Sequence, residues 1–445
     1  MDRQRKKLTL FALTWPIFIE ISLHMLMGNA DTLMLSQYAD HAVAAVGVSN
    51  QILSVIIVMF GFVSLGTSII IAQYLGASNE KAAIEVVTIS LIANFIFGLV
   101  VSVLFLFFSH PILSMMNLSA DVLDSAKFYL RMVGSFLFLQ SIIMTIGATI
   151  RSYGFTKDAM YITLGMNIIN VIGNYLFIFG PFGFPVLGVE GVAISTAVSR
   201  GIGVIALLLG LLKRIDHTLT LGKQYRNHLK KLLFIGIPSA GEQLAYNGSQ
   251  MAITYFITML GTEAITTKIY TQNISMFIFL FTIAISQGTQ ILVSHLVGAK
   301  EREKAYYRCL RSLKIAIYIS LTITVIFTIF SDFLFQIFTT NEKIVSMGGM
   351  LLLLTILLEP GRSLNIVVIH SLRAAGDVRF PVYTGVLSMW GISVLLTYIL
   401  GIELEFGLVG VWFAMIADEW IRGVIMLLRW RSRRWQHMNL ISQKK

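Results

Sequence analysis

Charge is scarce in this sequence. Only 13% of its 445 residues are Asp, Glu, Lys or Arg, against 56% hydrophobic. That leaves too little polar surface to cover a water-soluble globule of this size, so the chain belongs in a bilayer. There is a single cysteine, Cys309, which excludes an internal disulfide and carries no assigned role. The chain lacks an HExxH metal motif, a serine-histidine dyad and paired aspartates in a protease context, which weighs against an intramembrane hydrolase. The basic start at residues 3 to 7 lacks a small-residue cleavage site, and the apolar run after it is too long for a signal peptide, so it reads as a retained first helix. Cations are nearly missing from alternate loops. Lys343 is the only one in the outer loops, while Arg3, Arg5, Lys6 and Lys7 and most of the 34 Lys and Arg residues fall in the others. The net charge of +11 is therefore a topology signal, with both ends expected in the cytoplasm of a multi-pass cell-membrane protein, and it is not a nucleic-acid footprint.

Twelve apolar stretches long enough to span a bilayer lie near 8–36, 43–72, 84–108, 122–147, 159–180, 188–213, 230–260, 265–294, 310–332, 342–371, 379–401 and 407–430. The expected fold is an all-α integral membrane protein of 12 transmembrane helices in two pseudo-symmetric six-helix bundles. The boundaries are an N-lobe over 1–215, a cytoplasmic linker over 216–229, a C-lobe over 230–435 and a basic tail over 436–445.

The two bundles follow from a repeat at an offset of 222 residues. Pro16 and Glu20 return as Pro238 and Glu242, Gly66-Thr67 as Gly288-Thr289, Gly76-Ala77 as Gly298-Ala299, Arg151 and Gly154 as Arg373 and Gly376, and Arg200-Gly201 as Arg422-Gly423. Gly191-Val192 matches Gly410-Val411 at a shorter offset, so the register loosens late in each copy. Such residues are costly in lipid-facing helices, and their recurrence marks two copies of one membrane unit, the usual build of a secondary transporter. An even number of helices per copy makes the repeat parallel.

Some polar residues sit inside the apolar stretches. Glu20, His24 and Asp31 share one face of the first helix. A carboxylate at a helix centre costs roughly 2.5 to 3.5 kcal/mol to insert, so Asp31 is expected to face a cavity and work there. Glu20 is a weaker candidate, because its partner Glu242 suggests a shared structural role beside Pro16 and Pro238. His24 reads as packing. Asn167, Asn170 and Asn174 form one face of the fifth helix. With a carboxylate and a hydroxyl they suit a hard monovalent cation, or tune the acidity of the carboxylate, or simply pack between helices. Glu359 and Arg362 flank Pro360-Gly361, where a kink or break is expected, as an internal ion pair or a gating pair. Asp418, Glu419 and Arg422 read as mutual structural partners.

Asn29-Ala30-Asp31-Thr32 followed by AVAAVGVSNQI, the turns YLGA and LVGA, NYLFIFGPFGFPVLGVEGVAIST at 174–196 and SLRAAGD at 371–377 together resemble the multidrug and toxic compound extrusion (MATE) transporters, over about residues 8 to 430. The resemblance implies two six-helix lobes, alternating access and export driven by a Na⁺ or H⁺ gradient, with no cofactor and no metal beyond a Na⁺ at Asp31, Asn170 and Thr196. Asp31 matches the first-helix aspartate on which coupling centres, and Asn170 and Thr196 match polar partners on the fifth and sixth helices. Asn174 stands where one branch has a second aspartate, as in the NorM-type branch. The NorM-type aspartate of the tenth helix is absent in register, with Glu359 and Arg362 in that neighbourhood. The expectation is an antiporter exporting amphipathic, cationic and aromatic organic compounds, acting as a monomer in the lipid bilayer without nucleic acid. Its 30 Phe and 20 Met would suit such ligands. Protons are preferred over sodium because a lone, partly desolvated carboxylate among neutral amides suits proton exchange. A lipid-linked precursor flippase of the same superfamily is the alternative, disfavoured by the lack of multiple unpaired arginines in the helices of the first lobe.

Overall fold

A computed structural model describes residues 8–116, 118–215, 219–438 and 440–441. Arg3, Arg5, Lys6 and Lys7, residues 216–218 of the linker and 442–445 of the basic tail lie outside the described residues. Among the described residues there is no strand. In hydrocarbon every backbone N–H and C=O must be satisfied within the segment, which leaves the helix as the solution for runs of Leu, Ile, Val and Phe.

The first copy folds as α1 (Leu10–Ser36), α2 (Asp40–Gly76), α3 (Glu80–Ser114), α4 (Ala120–Ser135), α5 (Leu137–Ser152), α6 (Thr156–Phe179) and α7 (Val189–Arg214). The second folds as α8 (Tyr225–Thr258), α9 (Thr262–Gly298), α10 (Arg302–Ile329), the short α11 (Ser331–Gln336), α12 (Glu342–Ala375), α13 (Arg379–Glu403, with two wide π turns) and α14 (Gly407–Arg431). Nine of these are by themselves long and apolar enough to cross a membrane, and α4 with α5 makes a tenth span bent by 46° at Phe136. The remaining two spans are α8 and α14, whose charged residues dilute their apolar character. The chain is thus an all-α protein with 12 transmembrane segments.

The duplication is legible in local geometry. The turns after α2 and α9 place a non-glycine residue in the left-handed region at the same step, Ser78 (φ 58°) and Lys300 (φ 61°). The Asn79 side chain accepts from the Ala82 N–H to cap α3. The two bundles differ at one span. The fourth span of the first copy is broken at Phe136, whereas α12 is one continuous helix through Pro360, so of the kink or break expected there the break does not occur. Trp420 Nε1 donates to the Leu357 carbonyl at 2.8 Å, supplying a partner in the turn that Pro360 loosens. Gly361 permits this approach, since a Cβ there would lie 2.7 Å from the Trp420 ring.

The chain divides into two compact units, Trp15–Gly236, and Met1–Thr14 with Ile237–Lys445. The boundary in each copy falls inside its first helix, α1 or α8, and not in the polar linker. In the first unit, Gly66 of α2 faces the backbone of Leu232, with a built Cβ 3.3 Å from its carbonyl oxygen. In the second, Gly288 of α9 faces Leu13 and Thr14. These contacts are repeat equivalents of one another. The core of the first unit is a cluster around Leu53, Phe60, Tyr129, Leu130 and Leu137. That of the second is built around Ile253, Leu351, Leu358, Val411 and Trp412.

Candidate functional site

In the first unit, α6 carries its polar face inward. Asn167, Asn170 and Asn174 are buried, while Ile168, Ile172 and Tyr175 on the other face are exposed. This inversion is what a helix needs when lipid lies outside and polar partners lie within the bundle. Asn174 Nδ2 donates to Asp31 Oδ1 on α1 at 2.6 Å and also reaches Asn170 Oδ1 at 3.3 Å. Asn170 Nδ2 donates to Thr196 Oγ1 on α7 at 3.2 Å. Thr196 Oγ1 donates onward to the Val192 carbonyl, and Ser195 Oγ donates to the Asn170 carbonyl at 2.8 Å. Gly173 makes the last contact possible, since a Cβ there would fall 2.3 Å from Ser195 Oγ. The result is a continuous chain of donors and acceptors that begins at one buried carboxylate.

Two acceptors in this region are left over. Asn174 Oδ1 is buried without a partner, and so are both amide atoms of Asn167. Asn167 is therefore on the same face as the network without a bond to it. Tyr129 of α4 is fully packed, donates to Asn50 Oδ1 at 3.3 Å and also faces Thr196. Arg200, one turn beyond Thr196 on α7, lies within electrostatic range of Asp31 and Tyr129, and its Nη1 is buried without a hydrogen-bond partner. Chemically, the arrangement can hold Asp31 ionised, with an amide donor and the field of Arg200, or accept a cation there. An amide can present either its NH₂ or its oxygen to the carboxyl, so Asn174 suits both states of Asp31.

The secondary candidates fall elsewhere. Glu20 pairs with Arg151 at 2.6 Å, and Glu242 pairs with Arg373, the same two helix positions one repeat later. In the second unit Glu359 pairs with Arg362 at 2.6 Å. Arg422 bridges Asp418 and Glu419, both at 3.1 Å, and Asn365 Nδ2 donates to Glu419 at 2.8 Å. Arg362 and Arg422, with Asp418, Glu419 and Tyr246, line a small cavity of about 20 Å³, room for one water molecule. Asp418 stands four residues before Arg422, as Thr196 stands four before Arg200. Tyr129, Asn50 and Arg200 were missed as site members by the sequence reading. The recurrence of Arg200 as Arg422 was the available signal. Among the described residues no group of three or more His, Cys, Asp or Glu is arranged to hold a metal.

A family profile described as MatE matches residues 16–176 and again 238–399, two segments that start one repeat apart and together cover well over half the chain. The chain belongs to the MATE family. It is 55% identical over 433 residues to the "Uncharacterized transporter YisQ" of Bacillus subtilis (strain 168), covering 97% of this chain and 95% of that one. It is 27% identical over 443 residues to the "Probable multidrug resistance protein NorM" of Thermotoga maritima, covering 99% and 95%. Among solved structures, "Crystal structure of MATE in the bent conformation" matches with a TM-score of 0.87 at 22% identity over 95% of this chain and 94% of that one, a likeness of fold. As a MATE-family member the protein is a multi-pass membrane transporter and not an enzyme. The family works by ion coupling without a cofactor.

Proposed function

We propose that this MATE-family transporter is a secondary antiporter that exports amphipathic, cationic organic compounds by alternating access, in exchange for a proton taken up at Asp31. The supporting observation is the buried carboxylate of Asp31, held at 2.6 Å by a neutral amide that is itself tied to Asn170 and, through it, to Thr196. Asp31 takes up the coupling cation from outside as substrate leaves and releases it inward as the next substrate enters. Cation and substrate must then favour opposite states or compete, because a ligand shifts an equilibrium only through unequal affinity for the two states. The names of relatives called multidrug resistance proteins favour export of organic compounds. The protein is read as lying in the cell membrane with both termini cytoplasmic, on the loop asymmetry of Lys and Arg.

Sodium is the second reading, favoured by the unpartnered acceptor oxygen of Asn174, whose amide bonds the carboxylate, and by that of Asn167 on the same helix face. One experiment separates the two. Efflux of a fluorescent organic cation from proteoliposomes is measured in Na⁺-free medium with an imposed pH gradient, then with a sodium gradient at clamped pH. Transport in the first arm and none in the second is expected. Transport that requires sodium and survives collapse of the pH gradient overturns the proton assignment.

A further inference from the structure

Helix α10 carries a group of cations that its repeat equivalent does not have. Arg308, Arg311 and Lys314 follow one another at intervals of three residues, rising about 9 Å along the axis at about 1.5 Å per residue. One repeat earlier, α3 has Val86, Ile89 and Ile92 in their places. The turns just before them match at both ends, Gly76-Ala77 with Gly298-Ala299 and Ala83 with Ala305, so the comparison is in register. The first copy shows that this helix position needs no charge to enter the membrane or to pack.

Among the described residues these three cations have no carboxylate counter-ion. The nearby carboxylates on α10 and its N-cap are engaged elsewhere, Glu301 with Lys304 and Glu303 with Arg433. No carboxylate lies within 4.0 Å of Arg308, Arg311 or Lys314 among the described residues. Arg308 is half-buried and one turn from the like charge of Arg311. The same face is exposed and turns apolar further along the helix. Tyr307, Arg311, Lys314 and Tyr318 are exposed in succession, and the same stripe continues as exposed Val325 and Ile329. Long cationic stems on such a face extend toward the headgroup layer, with tyrosines flanking them at the interface. The loop that precedes α10 is on the cytoplasmic side in the orientation given by the Lys and Arg asymmetry.

We infer that Arg308, Arg311 and Lys314 form a docking site for the headgroup of an anionic phospholipid of the inner leaflet. The phosphate and the net negative charge of a phosphatidylglycerol headgroup satisfy two guanidiniums and an ammonium that have no carboxylate partner among the described residues. A zwitterionic headgroup brings its own cation and satisfies them less well. At about 1 kcal/mol for each basic residue near an anionic membrane surface, three cations give a preference on the order of a hundredfold.

The test uses the full chain purified in a neutral detergent, with native mass spectrometry of lipid adducts. Dioleoyl phosphatidylglycerol is titrated against dioleoyl phosphatidylcholine, which has the same acyl chains. The wild type is expected to retain phosphatidylglycerol at concentrations at least tenfold lower than phosphatidylcholine. The triple variant Arg308→Gln, Arg311→Gln, Lys314→Gln is expected to lose that preference. A variant losing the same charge around the start of α8, Lys223→Gln, Arg226→Gln, Lys230→Gln, is expected to keep it. The double variant Arg308→Lys, Arg311→Lys holds the charge and is expected to keep it too, which separates lipid binding from misfolding. Equal retention of the two lipids by the wild type overturns the inference. So does a triple variant that holds phosphatidylglycerol as the wild type does, or a linker variant that loses it to the same extent as the triple.

Discussion

Asp31 and Asn174 face each other at 2.6 Å, so the first residue-scale question is what the carboxylate contributes. Asp31→Asn removes a charge that is costly in a membrane helix and is expected to leave expression and the elution profile unchanged while abolishing coupled efflux. Efflux from proteoliposomes under the same gradient checks this, and wild-type rates in the mutant would refute it. Glu20 and Glu242 behave differently, because each already has an arginine. Arg151→Ala leaves the Glu20 carboxylate largely buried and unpaired, which is expected to cost about 3 kcal/mol and to lower the melting temperature in detergent. Arg373→Ala does the same to Glu242 in the other unit. If either variant melts with the wild type, the pair is not a structural clamp. Asp31 was legible from the sequence as a charge out of place in an apolar helix. The arginine partners of Glu20 and Glu242 were not, because each sits 131 residues away and nothing local points to it.

At the scale of elements, close approach decides more than propensity. Glycine is a poor helix former, yet Gly191 and Gly410 recur near the starts of α7 and α14. Each lies against the helix before it, and a Cβ would fall 2.2 Å from Phe177 Cβ at Gly191 and 2.5 Å from the Leu400 carbonyl oxygen at Gly410. Backbone cannot yield as a side-chain tip can, so Gly410→Ala is expected to destabilise the second unit by about 1 to 3 kcal/mol. Gly28→Ala, with nothing within 4 Å of a built Cβ, is expected to be neutral. Thermal melting of both variants in detergent checks the contrast, and equal melting points would contradict it. Helix α12 gives the converse lesson. Pro360-Gly361 reads in the sequence as a kink or break, and the helix stays continuous with Trp420, on α14, filling the notch and donating to the loosened turn.

At the scale of the molecule, the compact units do not begin where the sequence copies begin. Residues 225–236 of α8 cluster with the first copy, through Leu232 against Gly66 among other contacts, and the chain before Trp15 clusters with the second. A fragment of residues 1–236 is therefore expected to accumulate as a monodisperse species in detergent, whereas a fragment of residues 1–215 is expected to aggregate. Fluorescence-detected size-exclusion chromatography of the two fragments checks this, and equal behaviour would show that the first turns of α8 contribute nothing to the first unit.

The sequence by itself determined the solvent, the duplication and the family. Membrane residence follows from composition, repeats from rare residues recurring in register, and family from motifs spread over the chain, and none of these requires knowing which residues touch. It also drew the asparagine face of α6, because a periodicity of 3.6 is written locally. Only the tertiary structure decided that Asn174 is the residue that bonds Asp31, that Asn167 stands outside the network, that Tyr129 and Arg200 border it, and that Arg308, Arg311 and Lys314 of α10 have no carboxylate partner among the described residues. These depend on which helix faces which, and that is fixed by packing between segments far apart in the chain, to which the local pattern of each helix is blind.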